Sequence, residues 1–150
     1  MLTVRRLPLV LVSLLLAAVL AACGASKHTS TAGNTAAAQE QIKGAYVHFF
    51  SGKTPLSDRV ALLQNGSKFR PVIAAFASNP LAKSASATVS SVKLQGGDRA
   101  RVVYTVKVAG TALPKQTGFA VRENGKWKVA DSSLCKLVAL QGRTPSICRS

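Results

Sequence analysis

The sequence predicts an α+β fold, in which N-terminal helices pack on a curved antiparallel sheet of about four strands and a short C-terminal helix follows. Three observations predict it. Apolar residues recur at helical spacing before Pro80, they alternate with a period of two after it, and Asn124-Gly125 stands between two strand-like segments. Helical periodicity followed by strand periodicity indicates a layered domain whose helices cover one face of the sheet.

Three helices are expected in the first half of the chain. The first covers residues 40–50, where four side chains form a single apolar stripe: Ile42, Tyr46, Phe49 and Phe50. The second begins at Thr54-Pro55 and ends at Asn65-Gly66, and the third covers residues 69–78.

Four strands are expected over residues 85–95, 99–108, 115–123 and 126–131, with a bulge at Ser90-Ser91 in the first. Asn124-Gly125 predicts a hairpin between the last two. A last helix begins at Asp131 or Ser132 and runs through Leu140. The second strand is the clearest, because one face carries Ala100, Val102, Tyr104, Val106 and Val108 and the other carries Arg99, Arg101, Val103, Thr105 and Lys107.

Residues 1–22 have the features of a signal peptide: Arg5 and Arg6 precede an apolar stretch that is shorter than the roughly 20 residues of a membrane span. Leu20-Ala21-Ala22-Cys23 resembles a bacterial lipobox. That resemblance implies cleavage before Cys23 and acylation of this cysteine, for example with palmitate, which would anchor the protein to the membrane outside the cytoplasm. The alternatives are an ordinary secretory peptide with an incidental cysteine, or an uncleaved span.

The remaining chain divides into two parts. Residues 23–38 are rich in small and polar residues and predict a disordered tether, and residues 39–150 predict a single α+β domain. The formal charge is +15, and loss of Arg5 and Arg6 with the leader leaves +13, which predicts attraction to anionic surfaces.

Cys135 and Cys148 are expected to form a disulfide outside the cytoplasm. A metal or redox site is the weaker alternative, because the pair has no CxxC spacing and no nearby histidines.

Several basic side chains are expected on the solvent face of the sheet: Arg99, Arg101, Lys107, Arg122 and Lys128. They form either a solvated face that discourages edge pairing or a contact surface for anionic lipids or envelope polymers. Nucleic-acid binding is disfavoured, because no exposed aromatic platform interleaves with the charges.

No enzyme constellation is visible, and no cofactor or metal is predicted. The domain has five acidic residues, and each falls at a helix end or a turn, where no two are paired for acid–base chemistry. Tyr46, Tyr104 and Asp131 could meet in a pocket, but core tyrosines with satisfied hydroxyls are the preferred interpretation.

Three segments, residues 54–66, 124–130 and 131–135, resemble the actinobacterial low-molecular-weight secreted antigen family. The resemblance implies a cystatin-like, nuclear-transport-factor-2-like cone, often with a pocket between helices and sheet. It also implies a secreted or envelope-associated protein without catalytic residues. The cone commonly has six strands, whereas four are recognisable here.

These observations predict a non-catalytic binding domain on a membrane-anchored lipoprotein. An apolar ligand or a protein partner would be bound, with Tyr46, Phe76 and Tyr104 as the expected pocket lining. One alternative is a structural envelope protein that adheres through its basic sheet face, and a second is a degenerate relative of a cone-fold enzyme.

Overall fold

In the computed structural model, helices from the first half of the chain cover one face of a curled antiparallel sheet, and a further helix follows the last strand. The predicted α+β cone is therefore confirmed. The structure describes residues 31–142 and 144–149. The predicted signal peptide, residues 1–22, and Cys23 lie outside the described residues. Within them, no helix has the length and apolar character needed to cross a bilayer.

The first helix, α1 (Thr31–Phe50), begins well before residue 40. The expectation that residues 23–38 are disordered is therefore corrected for 31–38, which are helical. Three consecutive alanines at 36–38 have the highest helix propensity, and extending an existing helix is easier than starting one. The side chain of Gln39 also donates a hydrogen bond to the carbonyl of Val92 at 3.1 Å, which fixes this part of α1 against the sheet.

Two shorter helices follow, α2 (Leu56–Leu62) and α3 (Gly66–Ala77). The third helix begins earlier than predicted because the chain turns tightly at Asn65, which adopts a left-handed conformation with φ 52°. Gly66 is required there, since a Cβ at this position would lie 1.8 Å from the carbonyl oxygen of Val60.

The sheet has the strand order β1-β2-β4-β5, and every pair is antiparallel. The register shifts between Val89 and Ser91, as the predicted bulge requires. Asn124 and Gly125 both have positive φ angles, 52° and 75°, which a tight hairpin turn demands. One short strand was not predicted. The strands are β1 (Ser86–Leu94), β2 (Arg99–Val108), the unpredicted β3 (Thr111–Ala112), which pairs with β2, β4 (Gln116–Glu123) and β5 (Lys126–Val129).

The core lies between α1 and the inner face of the sheet. The predicted stripe of α1 and the even-numbered row of β2 are buried together, and each large apolar side chain contributes roughly 1.5 to 3 kcal/mol. The side chains that are most completely buried are Tyr46, Tyr104, Ile42, Leu63, Val102 and Val129.

A hydrogen-bonded node joins α1, β4 and the last helix, α4 (Asp131–Ala139). The Tyr46 hydroxyl donates to the carbonyl of Phe119 at 2.7 Å, and the Ser133 hydroxyl accepts from the amide of the same residue at 2.8 Å. Gly118 makes room for both, since a Cβ there would lie 2.7 Å from each hydroxyl oxygen. Because β5 pairs only with Ala120 to Glu123, Ser133 satisfies a donor that no strand reaches.

The C-terminal tail is attached covalently to α4. A disulfide joins Cys135 to Cys148, as predicted, with the two Cα atoms 5.4 Å apart. The cross-link closes a loop with a sequence separation of 13 residues and contributes about 3 kcal/mol in the chain-entropy model.

The two tyrosines of the chain give the fold a spectroscopic signature, because both are buried. Burial raises the pKa of Tyr104 to about 12 and that of Tyr46 further. A phenol with a raised folded-state pKa stabilises the fold below its unfolded value near 10, and this contribution disappears as the pH rises from about 10 to 12. For Tyr104 it amounts to roughly 2 to 3 kcal/mol.

We therefore expect ultraviolet titration to show no tyrosinate near pH 10, and phenol ionisation to coincide with loss of near-ultraviolet circular dichroism. Tyr104→Phe should remove part of the alkaline loss of stability. Normal ionisation of either phenol near pH 10 in the folded protein would contradict this packing.

Candidate functional site

An apolar cavity of about 670 Å³ opens between the helices and one end of the sheet. Small-molecule pockets typically measure about 300 to 1,000 Å³. Its wall combines α1, α3, the 3-10 turn Pro80–Ser84, the end of β2, the segment after β3, and α4. The apolar lining consists of Phe49, Phe50, Ile73, Phe76, Leu81, Ala82, Ala85, Val106, Val108, Leu113, Pro114, Leu134, Leu137 and Leu140.

Of the three residues expected to line a pocket, the structure places only Phe76 in the cavity wall. Tyr46 and Tyr104 are packed in the core, behind the cavity wall. Phe50, which does line the cavity, stacks on Tyr104 with ring centroids 5.3 Å apart and planes inclined by 15°. The Tyr104 ring in turn lies 4.9 Å from that of Tyr46. The correction has a physical reason: Phe50 lies between the cavity and Tyr104, and Tyr46 packs behind Tyr104, so neither tyrosine reaches the wall.

The cavity reaches solvent between two exposed leucines. Leu81 is 57% exposed and Leu140 is 61% exposed, although both also line the cavity. Among the described residues, Val47 is the only other large apolar side chain that is substantially exposed to solvent. Apolar side chains concentrated at a cavity entrance are typical of sites that receive an apolar partner.

One cation belongs to this apolar wall. Arg59, on α2, is only 7% exposed. It donates from Nη2 to the carbonyl of Ser51 at 2.6 Å, while its Nε has no hydrogen-bond partner in the described structure. Burial lowers the pKa of Arg59, but a guanidinium remains charged at neutral pH. The ion pairs found between described residues involve other cations, so no described carboxylate neutralises it.

Arg59 was not among the residues predicted for the site, although the sequence carries a signal for it. Leu56, Val60 and Leu63 form the apolar stripe of α2, and Arg59 stands three residues after the first of them, on the same side of the helix. A charged residue inside an apolar stripe is the pattern that marks a buried cation. It was passed over because arginine on a short helix is ordinarily solvated.

Of the three other polar residues of the wall, Gln116 and Asn79 are engaged in local contacts, and Gln141 lies on the exposed stretch after α4. Gln116 donates from its side chain to the carbonyl of Pro114 at 2.9 Å, and Asn79 accepts the amide of Leu81 at 3.0 Å. Among the residues that the structure describes, no acidic side chain lines the cavity.

The predicted basic face exists in part, on the side of the sheet away from α1. Arg99, Arg101 and Lys107 are exposed along one side of β2. Lys93 is exposed and lies directly opposite Arg101, so it adds a further cation to this face. The Arg99 guanidinium lies 4.2 Å from the centre of the Phe119 ring, which holds it against the sheet.

Two members of the predicted basic set behave differently. Arg122 pairs with the buried Trp127, so the alternation of β4 places it on the opposite face from Arg101. Lys128 is on the basic face but forms an ion pair with Glu123, whose pKa is lowered chiefly by this hydrogen bond.

The described carboxylates mostly have local partners. Glu40 pairs with Lys43, and Asp131 accepts from the side chain of Asn65 at 2.9 Å. Within residues 31–142 and 144–149, no group of three histidine, cysteine, aspartate or glutamate side chains is placed to hold a metal ion.

Comparisons with known proteins agree with the sequence resemblance. The family model of the low molecular weight antigen MTB12, C-terminal domain, matches residues 35–145. No curated protein matches the chain. A solved structure from Campylobacter jejuni, described as an NTF2-like transpeptidase, is similar with 14% sequence identity and a TM-score of 0.35; the match covers 67% of this chain and 98% of that one.

Proposed function

This chain belongs to the family of the low molecular weight antigen MTB12, C-terminal domain, and on that premise we propose that it is a lipid-anchored, extracytoplasmic binding protein. Its domain takes up an apolar ligand in the cavity and performs no chemistry on it. The cavity of about 670 Å³ with its apolar wall is the observation that carries this proposal.

Physical chemistry supports occupancy by an apolar molecule. An apolar void contributes no packing energy, and its lining residues gain contacts only when a ligand enters. The hydrophobic effect stabilises such binding by about 25 cal/mol per Å² of apolar surface removed from water. The absence of acidic side chains from the wall and the local engagement of Gln116 and Asn79 favour binding over acid–base catalysis.

Anchoring through Cys23 completes the proposal. The lipobox-like residues before Cys23 support acylation, and two or three acyl chains hold a protein stably on a membrane where one chain binds reversibly. An anchored domain with an apolar cavity stays close to a source of apolar ligands.

Adhesion through the basic face is a second candidate function. The observation that favours it is the register, which aligns Lys93 with Arg101 on the exposed side of the sheet, where Lys107 also lies. Such a surface suits anionic phospholipid headgroups.

The first prediction concerns the cavity. The mature chain, residues 23–150 with Cys23→Ala, should bind the neutral fluorescent probe N-phenyl-1-naphthylamine, and dodecanol should displace it. Val108→Trp places a large ring in the cavity wall and should weaken binding on the order of tenfold, a loss of about 1.4 kcal/mol.

Val103→Trp is the matched control, because Val103 is equally half-buried but lies on the other face of β2. It should bind as the unsubstituted chain does. No binding by the unsubstituted chain, or equal loss in both variants, would remove the cavity as the binding site.

The second prediction concerns the anchor. In cells fed radiolabelled acyl chains, the full precursor should incorporate label, and Cys23→Ala should not, since the thiol that accepts the diacylglyceryl group is gone. Label persisting on Cys23→Ala would sink the lipoprotein proposal.

The third prediction tests adhesion. If the basic face binds membranes, replacing Lys93, Arg101 and Lys107 together by Gln should weaken sedimentation with anionic vesicles about a hundredfold, at roughly 1 kcal/mol per basic residue. Binding should also vanish at 1 M salt, where the Debye length falls to about 3 Å. The control is the triple variant Lys68→Gln, Arg70→Gln and Lys83→Gln, whose exposed residues lie on helical elements. Equal effects of both triples would show that net charge alone acts.

A further inference from the structure

We infer that the ligand of the cavity is a single-chain amphiphile with an anionic head, and that Arg59 binds this head while the apolar wall holds the chain. The inference rests on the proposed function and adds the chemical class of the ligand.

The first step is the free-energy cost of burying the charge of Arg59 without a partner. Removing an ion from water costs several kcal/mol even after the protein relaxes, and a buried cation is tolerated when a partner charge or hydrogen bonds offset this loss. Arg59 is only 7% exposed and its Nε has no partner in the described structure. An anionic ligand head in the cavity, which Arg59 lines, would supply the counter-charge that no described carboxylate provides.

The second step is the chemistry of the side chain. A guanidinium offers five donors in a planar fork that fits the oxygens of a carboxylate or a phosphate, and one of those donors is used on Ser51. In a poorly solvated wall such a charge-assisted contact is stronger than at the surface. No acidic residue of the wall competes for it.

The third step is the match between one charge and a long apolar surface. The remaining wall is dominated by aliphatic and aromatic side chains, from Phe49 and Ile73 to Leu137, and the entrance is bordered by Leu81 and Leu140. A purely apolar ligand would leave Arg59 unpaired, and a small anion would leave this surface empty. An amphiphile would pair with Arg59 through its head and cover the apolar wall with its chain.

A structural explanation of Arg59 is the competing hypothesis. Its contact with Ser51 lies just beyond the C-terminus of α1, where a cation is favourable to the helix dipole. However, the Ser51 carbonyl also accepts the amide of Thr54 at 3.2 Å, so Arg59 is not its only partner. The experiment must therefore measure ligand charge preference, which a purely structural arginine would not produce.

The test uses the mature chain with Cys23→Ala and four probes that share one alkyl chain: dodecanoate, dodecyl phosphate, dodecanol and dodecyltrimethylammonium. Each displaces the naphthylamine probe at concentrations below micelle formation. We expect the two anions to bind at least tenfold more tightly than dodecanol, and the cation to bind most weakly. A preference between carboxylate and phosphate then distinguishes a fatty acid from a phospholipid-derived ligand.

Two variants isolate the charge. Arg59→Met keeps an unbranched, flexible side chain without its charge and should lower dodecanoate affinity about tenfold or more, while dodecanol affinity stays within about twofold. Arg59→Lys should retain part of the preference for anions. Circular dichroism and thermal unfolding establish that each variant is folded.

The outcomes distinguish a failure of the proposed function from a failure of the assigned ligand class. If none of the probes binds, the proposed function itself fails. If dodecanol binds as tightly as dodecanoate to the unsubstituted chain, the cavity is a binding site but the assignment of an anionic head is wrong. This comparison needs no variant, so it remains decisive even if Arg59→Met does not fold.

Discussion

The structure depends on one hydrogen-bonded node, in which Tyr46 and Ser133 meet the backbone of Phe119. The Ser133 hydroxyl satisfies the amide of Phe119, and a buried backbone group left without a partner costs about 1 to 3 kcal/mol. The Phe119 carbonyl accepts both the Tyr46 hydroxyl and the amide of Ala130, the latter at 2.9 Å. The node works only because Gly118 has no side chain. It fixes α4 beside β4, and α4 supplies Leu134 and Leu137 to the cavity wall, while Leu140 and Gln141 follow just after the helix.

The same node explains why the cavity occupies only part of the cone. Tyr46 is held deep inside by its hydroxyl, and Tyr104 and Phe50 pack against it in succession. This aromatic stack closes the interior toward the node, so that empty volume remains at the end bordered by Leu81 and Leu140. The fold thereby combines a closely packed core with an apolar cavity at one end of the sheet.

Positive charge is distributed unevenly over the domain. Most described cations lie on exposed positions, and the basic face of the sheet concentrates Lys93, Arg101 and Lys107 on the side away from α1. Arg59 alone among them belongs to the cavity wall. A net positive domain attracts anionic molecules over a distance of about one Debye length, roughly 8 Å at physiological salt, whereas a buried cation acts on a ligand that has already entered. The exposed cations and Arg59 therefore differ in the distance over which they can act on an anion.

The sequence by itself determined what depends on neighbours along the chain. The stripe of α1, the alternation of β2, the bulge after Val89 and the Asn124-Gly125 turn all follow from local spacing and backbone preference, and the structure contains each of them. Tertiary structure decided which side of β4 faces inward, and therefore on which face of the sheet Arg122 lies. The alternation of side chains along β4 identifies two faces, but only pairing with β2 and β5 shows which of the two faces inward. It also decided that the tyrosines lie behind the cavity rather than in its wall, and that Arg59 is buried. Each of these results comes from packing between segments that are distant in sequence, which no local periodicity records.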